Sequence, residues 1–162
     1  MIPPEFDYVA PDTLDEALQA LRGNEDAKVL AGGHSLLPLM KLRLAAPTLL
    51  VDLRNIPGLH GIQRDNGSWR VGALTRHADL QDNGDLGVVA KAASLIADQQ
   101  VRNRGTIGGS VAHGDPASDL PTVLLALDQQ RLLERGGEED AGGQRAVGEV
   151  ALLAQRLADR VR

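Results

Sequence analysis

Apolar positions along the first fifty residues switch between two periods, and each switch predicts a new element. Phe6-Asp7-Tyr8-Val9 has strand character and is ended by Ala10-Pro11. Leu14, Ala17, Leu18 and Leu21 then recur at helical spacing behind two N-cap residues, Asp12 and Thr13. Glu16 stands three places after Thr13, the spacing of a capping box, so a helix is predicted to about Arg22 with Gly23-Asn24 as its stop. Residues 27–30 return to strand spacing. Leu36, Leu39, Met40 and Leu42 carry a short helix with Lys41 and Arg43 on its other side. Residues 47–53 form a third strand, apolar enough to be buried on both faces. The succession strand–helix–strand–helix–strand predicts a compact α/β lobe on a parallel sheet.

Beyond Arg54-Asn55-Ile56-Pro57-Gly58, expected to act as a hinge, the rhythm changes. Residues 59–63 and 68–72 flank Asn66-Gly67, the best short-range hairpin signal in the chain. Thr75 is expected to cap a brief helix over His77, Ala78 and Leu80. Leu86, Val88, Val89, Ala92, Ala93 and Ile96 predict a longer, mostly apolar helix. After Asp128 strand character fades. Residues 136–143 have the composition of a linker, and Val150, Leu153, Leu157 and Val161 have the spacing of an amphipathic helix over 147–161.

Composition removes whole classes of function. The chain has 162 residues, enough for one domain or two small lobes. Phe6, Tyr8 and Trp69 are its only aromatics, so the core must be Leu, Val, Ile and Ala. A net charge of −5, with no Lys/Arg cluster among aromatics, argues against a nucleic-acid partner. Without cysteine the chain builds no disulfide, no thiolate zinc site and no iron–sulfur cluster of its own. Residues 1–5 lack the start of a signal peptide, and no apolar run approaches the roughly 18 residues of a membrane span. A cytoplasmic protein is the expectation.

Chemistry concentrates in two places. The first is Val29-Leu30-Ala31-Gly32-Gly33-His34-Ser35-Leu36, where a strand runs into two glycines, a polar pair and a helix start. Glycine permits close approach and positive φ, and the first free N–H groups of a helix point at an anion, so this is a bed for a phosphate. It is neither Gly-x-Gly-x-x-Gly nor a P-loop, and by itself a Gly-Gly is more often a tight turn. The second is Thr106-Ile107-Gly108-Gly109-Ser110, followed by Asp115-Pro116-Ala117-Ser118-Asp119-Leu120-Pro121. This stretch is too dense in small and polar residues for a packing segment. Its glycine backbone is expected to donate to phosphate oxygens, while Asp115 and Asp119 accept from sugar or ribityl hydroxyls. Such a division of labour suits a dinucleotide.

These two motifs together resemble the FAD-binding medium subunit of the molybdenum hydroxylases, the subunit found in aerobic carbon-monoxide dehydrogenase and the xanthine dehydrogenase family. The opening Phe6-Asp7-Tyr8-Val9-Ala10-Pro11, the Leu14–Leu18 helix start, Thr48-Leu49-Leu50-Val51-Asp52-Leu53 and Gln100-Val101-Arg102-Asn103-Arg104-Gly105 match as well, so the resemblance covers about residues 1–128. It implies an α+β, two-lobed flavin fold of the PCMH or vanillyl-alcohol-oxidase type, with FAD held non-covalently between the lobes. Residues 1–55 would be the small lobe, 56–128 a partial second lobe, and 129–162 a divergent tail, as in a C-terminally truncated subunit. Val29, Leu30, Ala31, Gly32, Gly33, His34, Ser35 and Leu36 would wrap the pyrophosphate. Thr106, Ile107, Gly108, Gly109 and Ser110 would hold phosphates from the other lobe, Asp119 would bind hydroxyls of the cofactor, and Ile96 would lie near the adenine. Ser110 stands where many relatives have Asn.

The implied activity is that of an oxidoreductase subunit that passes electrons from a partner's iron–sulfur clusters through FAD to NAD⁺, a quinone or oxygen. The implied partners are a molybdopterin-binding large subunit and a [2Fe–2S] small subunit. The protein then needs no general base of its own, and no catalytic or metal-binding residue is expected. Two other readings compete. One is a folded, catalytically silent remnant with weak or no FAD binding. The other, a self-contained flavin oxidase or reductase, leaves only about 30 residues for a substrate domain, too few. His34 could bond FAD covalently, as in related oxidases. His113 with Asp115 offers two ligands without a third, so a loop hydrogen bond is expected instead. His60 and His77 are expected at the surface. Arg102 and Arg104 suit a phosphate, a partner or a structural role.

Overall fold

The computed structural model describes residues 2–65 and 68–134. Its first half is built on β1 (Asp7–Val9), α1 (Leu14–Arg22), β2 (Ala27–Leu30), α2 (Leu36–Lys41) and β3 (Leu49–Asp52). The three strands form one parallel sheet in the order β1-β3-β2, with Tyr8 opposite Leu50 and Val29 opposite Val51. Because β3 is central, successive side chains meet different layers. Val51 packs with Ala17 of α1 and Ala27, whereas Leu50 packs with Met40 and Leu36 of α2. That double burial is why residues 49–51 are uniformly apolar.

The ends of α1 follow the sequence signals closely. The Thr13 hydroxyl accepts from the Glu16 N–H, and Gly23 donates back to the Gln19 carbonyl. The Glu16 carboxylate closes the motif one residue early, on the Asp12 N–H. Of residues 54–58, expected to act as a hinge, Ile56 alone is buried. It sits in one cluster with Leu53 and Leu74, so the connection is pinned to the core of the first half by this side chain. An apolar side chain there gains more from that core than from exposure on a free linker.

β4 (Ile62–Asp65) and β5 (Ser68–Val71) pair antiparallel, Ile62 opposite Val71 and Arg64 opposite Trp69, as the Asn66-Gly67 signal required; the turn itself lies outside the described residues. Thr75 does not cap the helix that follows. It is buried, and its hydroxyl both accepts from the Gly61 N–H and donates to the Gly61 carbonyl, each at 3.0 Å. A buried hydroxyl needs such partners, and α3 (His77–Gln81) starts from Arg76 instead.

The predicted helix from Leu86 is divided: a 3₁₀ turn at Gly84–Leu86 ends at Gly87, and α4 runs over Val88–Leu95. α5 (Gln99–Arg102), α6 (Ile107–His113) and α7 (Asp119–Glu134) complete the described chain. Leu80, Val89, Ala93, Ile107 and Leu120 form the core of this half, and Ile62, Trp69 and Val71 of the hairpin pack against it. α7 runs across position 128, where the second lobe was expected to end. The predicted linker at 136–143 and helix at 147–161 lie outside the described residues. Among the described residues no helix is long and apolar enough to cross a membrane.

Candidate functional site

β2 ends at Leu30, and residues 31–35 carry the chain to α2 from the carboxyl edge of the sheet. Gly33 adopts φ +78°, a left-handed conformation that suits glycine, and its carbonyl accepts from the Leu37 N–H at 3.0 Å. The backbone N–H groups of Ala31, Gly32, Gly33, His34 and Ser35 have no acceptor among the described residues. Ser35 occupies the N-cap of α2, yet its hydroxyl makes no capping bond. Five consecutive amides and one hydroxyl are therefore left to water or a ligand, and a run of free N–H groups at a helix start is complementary to an anion.

The second glycine pair is used differently. Thr106 caps α6, its hydroxyl accepting from the Gly109 N–H at 3.2 Å. Ile107 donates to the Thr75 carbonyl at 3.0 Å, Gly108 to the Ala73 carbonyl at 2.8 Å, and Ser110 to the Thr106 carbonyl at 3.0 Å. The expected donation from Gly108 and Gly109 to phosphate thus finds those amides engaged within the chain. The segment is also a packing segment, contrary to its composition, because Ile107 and Gly108 are buried. A Cβ at Gly108 would lie 2.6 Å from that of Ala73, so the missing side chain lets α6 press onto residues 73–75. What this segment keeps for a ligand is the Thr106 N–H, the Thr106 hydroxyl hydrogen and the Ser110 hydroxyl, which lies 3.2 Å from that of Ser118.

Tertiary structure brings the two motifs together. A Cβ at Gly32 would run into the Arg104 carbonyl and stand 2.8 Å from the Gly105 Cα, and one at Gly109 would touch the Ala31 side chain at 3.6 Å. Ala31, Gly32 and Thr106 line one cleft of about 200 Å³ with Asp52, Arg54, His60, Leu74, Arg76 and Arg104. It lies outside the carboxyl ends of β2 and β3, where open parallel sheets bind ligands.

Asp52 at the end of β3 escaped the sequence reading, although only 1% of it is exposed. Burial opposes its ionisation, but the Arg54 side chain and backbone and the Tyr8 hydroxyl donate to it, and together they hold the carboxyl below its ordinary value. The same hydrogen bond raises the Tyr8 phenol. The signal was an Asp ending a buried strand with Arg two residues on, but Tyr8 is 44 positions away and could not be paired with it from sequence.

His77 is not at the surface. It is 4% exposed, its ring packs where a Gly105 side chain would stand, and its Nδ1 has no partner. Burial, and secondarily the proximity of His34, lowers its pKa, so the ring is held neutral. Helical spacing located the residue correctly but carried no record of what covers it. His34 and His60 are exposed. Arg102 is structural: its guanidinium donates to the carbonyls of Ile96 and Ala97 at 2.7 and 2.9 Å, closing the end of α4.

Asp115 folds a local turn, accepting from the Ala117 N–H at 2.9 Å, and Asp119 opens α7. Asp119 lines a second, more open cleft of about 430 Å³ between α4 and α7, with Leu95, Pro116 and Ser118. Ile96, half-buried, packs against the core of the second half. Among the described residues no three His, Asp or Glu side chains gather as metal ligands, and His113 with Asp115 makes no such site.

Comparison with known proteins decides the family. The family model described as the FAD-binding domain in molybdopterin dehydrogenase matches residues 4–141. The chain belongs to this family. It is 50% identical over 133 residues to the 6-hydroxypseudooxynicotine dehydrogenase complex subunit alpha of Paenarthrobacter nicotinovorans, covering 79% of this chain and 45% of that protein. It is 50% identical over 140 residues to the carbon monoxide dehydrogenase medium chain of Hydrogenophaga pseudoflava, covering 83% and 48%. The solved carbon monoxide dehydrogenase of that organism, in a form lacking the Mo-pyranopterin moiety of its cofactor, superposes with a TM-score of 0.75 over 78% of this chain and 46% of its counterpart. This member of the molybdopterin dehydrogenase FAD-binding family thus spans about half the length of the curated relatives it matches.

Proposed function

We propose that the chain binds FAD non-covalently as the flavin-carrying portion of a molybdopterin-dependent dehydrogenase or hydroxylase. One observation carries the reading: five consecutive amides, Ala31 to Ser35, are free at the start of α2 and adjoin the second motif through Ala31 and Gly32. A diphosphate fits such a row of donors, because each oxygen can accept without displacing an internal bond. In this reading Val29 to Leu36 wrap the diphosphate, and Thr106, Ser110 and Asp119 meet the cofactor with hydroxyl and carboxylate groups. Ile107, Gly108 and Gly109 act by keeping that wall thin. Ile96 belongs beside the adenine, and Asp115 shapes the turn that presents Asp119. The division into lobes 1–55 and 56–128 and the PCMH-type architecture are part of the same proposal.

When bound, the flavin supplies the electron-transfer chemistry between a partner's iron–sulfur clusters and an acceptor. The chain supplies binding, orientation and electrostatics. The partners are a molybdopterin-binding large subunit and an iron–sulfur small subunit, consistent with relatives named as a medium chain and as a subunit of a dehydrogenase complex.

Titration of the purified chain with FAD, followed by flavin absorbance and fluorescence quenching, tests this. Micromolar or tighter binding at one equivalent is expected, with all flavin released on acid precipitation because the attachment is not covalent. Flavin that stays in the pellet would overturn the non-covalent assignment. Absence of binding would replace the proposal with the folded, catalytically silent remnant.

A further inference from the structure

The end of α2 breaks two rules of its own geometry. Leu42 closes the helix, the Arg43 N–H donates to the Met40 carbonyl at 3.0 Å and the Leu44 N–H to the Leu39 carbonyl at 2.9 Å, the bond pair of a Schellman cap. Such a cap favours glycine just past the helix, yet Arg43 stands there with φ +58°. It also commonly folds the next apolar side chain back onto the helix, yet Leu44 is 73% exposed. Leu42 and Leu37 are exposed as well, at 55% and 37%. A strained arginine and three leucines open to water cost stability, and costs of this kind persist where a second function uses them.

Local charge defines what would cover these residues. The chain is acidic overall at −5, but residues 27–51 contain no Asp or Glu and carry Lys28, Lys41 and Arg43. Lys41 and Arg43 are exposed, with no ion pair or side-chain hydrogen bond among the described residues. The patch also starts where the free-amide loop ends. Leu37 donates its N–H to the Gly33 carbonyl, and its Cδ1 would lie 3.0 Å from a Cβ at Gly33.

We infer that residues 37–44 are a docking surface for an acidic protein face that carries an iron–sulfur cluster. Leu42 and Leu44 are covered on docking, and Lys41 and Arg43 are paired. The choice of partner rests on the flavin-carrying reading proposed above. A cluster held by cysteine thiolates is anionic, so a basic surface is complementary to it. A partner seated here adjoins the loop proposed to hold the flavin, which shortens the path its electrons travel. Leucines among basic residues also suit an anionic membrane or a second copy of this acidic chain, and the experiment separates these occupants.

The probe is the carbon monoxide dehydrogenase of Hydrogenophaga pseudoflava stripped of its medium chain, the relative 50% identical over the matched residues. Association of the full chain with it, read by biolayer interferometry, should saturate and weaken with salt. It should fall about tenfold in Arg43→Gly and about a hundredfold in Arg43→Glu or Leu44→Asp, and return in Arg43→Lys. Glycine takes φ +58° without strain, so Arg43→Gly should melt about 2 °C higher while it binds more weakly, a split that a purely structural residue does not give. A photo-crosslinking amino acid in place of Leu42 should attach to a cysteine-rich chain of the probe; attachment to any other chain overturns the inference. So does the absence of association, or association unchanged in Arg43→Glu and Leu44→Asp. Tighter binding to phosphatidylserine vesicles, or self-association, lost in those variants, assigns the surface to a membrane or to a second copy instead. A parallel FAD titration keeps the two proposals apart: association without flavin binding removes the flavin reading, and flavin binding without association removes this one.

Discussion

Two Gly-Gly pairs, 76 positions apart, end up side by side and have opposite fates. At Gly32-Gly33 the chain leaves a strand at the edge of a parallel sheet, Gly33 turns it with a positive φ, and five amides in a row remain unpaired. At Gly108-Gly109 the chain starts a helix that Thr106 caps, and residues 73–75 take up the amides that the cap leaves over. The first pair keeps its N–H groups unclaimed, and the second acts as a spacer between packed segments. A glycine pair is therefore not a sign of an anion site; what decides is whether anything else in the fold has claimed its N–H groups.

Gly32 is the position where both roles meet, and its replacement should have the largest effect. Gly32→Ala places a Cβ against the Arg104 carbonyl and the Gly105 Cα, both backbone, so neither neighbour can rotate away. We expect a loss of about 3 kcal/mol in urea unfolding, at the upper end for overpacking, together with loss of FAD binding. Unfolding that matches the parent would show that the two motifs do not touch.

Gly108→Ala should cost about 1–3 kcal/mol by crowding Ala73. At a temperature where the variant is folded, its FAD affinity should equal the parent's, because the Gly108 amide is already committed. A large drop in affinity without a change in stability would reverse the assignment of roles.

Ser35→Ala is the converse case. Its hydroxyl makes no capping bond, so stability should change by less than about 0.5 kcal/mol, while FAD affinity should fall roughly tenfold from the loss of one charge-assisted hydrogen bond. Equal affinities would remove Ser35 from the binding loop.

The smallest effect is confined to acid. His77 has a folded pKa below the ordinary imidazole value of 6.5, with burial as the main cause and His34 second. As pH falls below that value the unfolded chain takes up a proton that the folded chain resists, so stability contributed here is intact above pH 6.5 and declines as pH drops. His77→Leu should flatten this part of the stability–pH curve. An unchanged slope would mean that the ring is free to charge where it stands against Gly105.

By itself the sequence determined the local elements of the first half, because its apolar periods are clean and its caps are of the right chemical type. α1 starts at Thr13 and stops at Gly23, β2 occupies Ala27–Leu30, and the hairpin register follows from Asn-Gly. It also determined the family, since two motifs at a fixed separation are hard to match by chance. Tertiary structure alone decided which groups remain available. Whether Gly33 or Gly108 keeps its N–H depends on residues 73–75, whether His77 is wet depends on Gly105, and whether Asp52 is charged depends on Tyr8 and Arg54. Periodicity and capping act over a few residues and are written in the chain. The pairing of a buried donor or charge is settled by whichever distant segment arrives beside it, and no short stretch of sequence records that arrival.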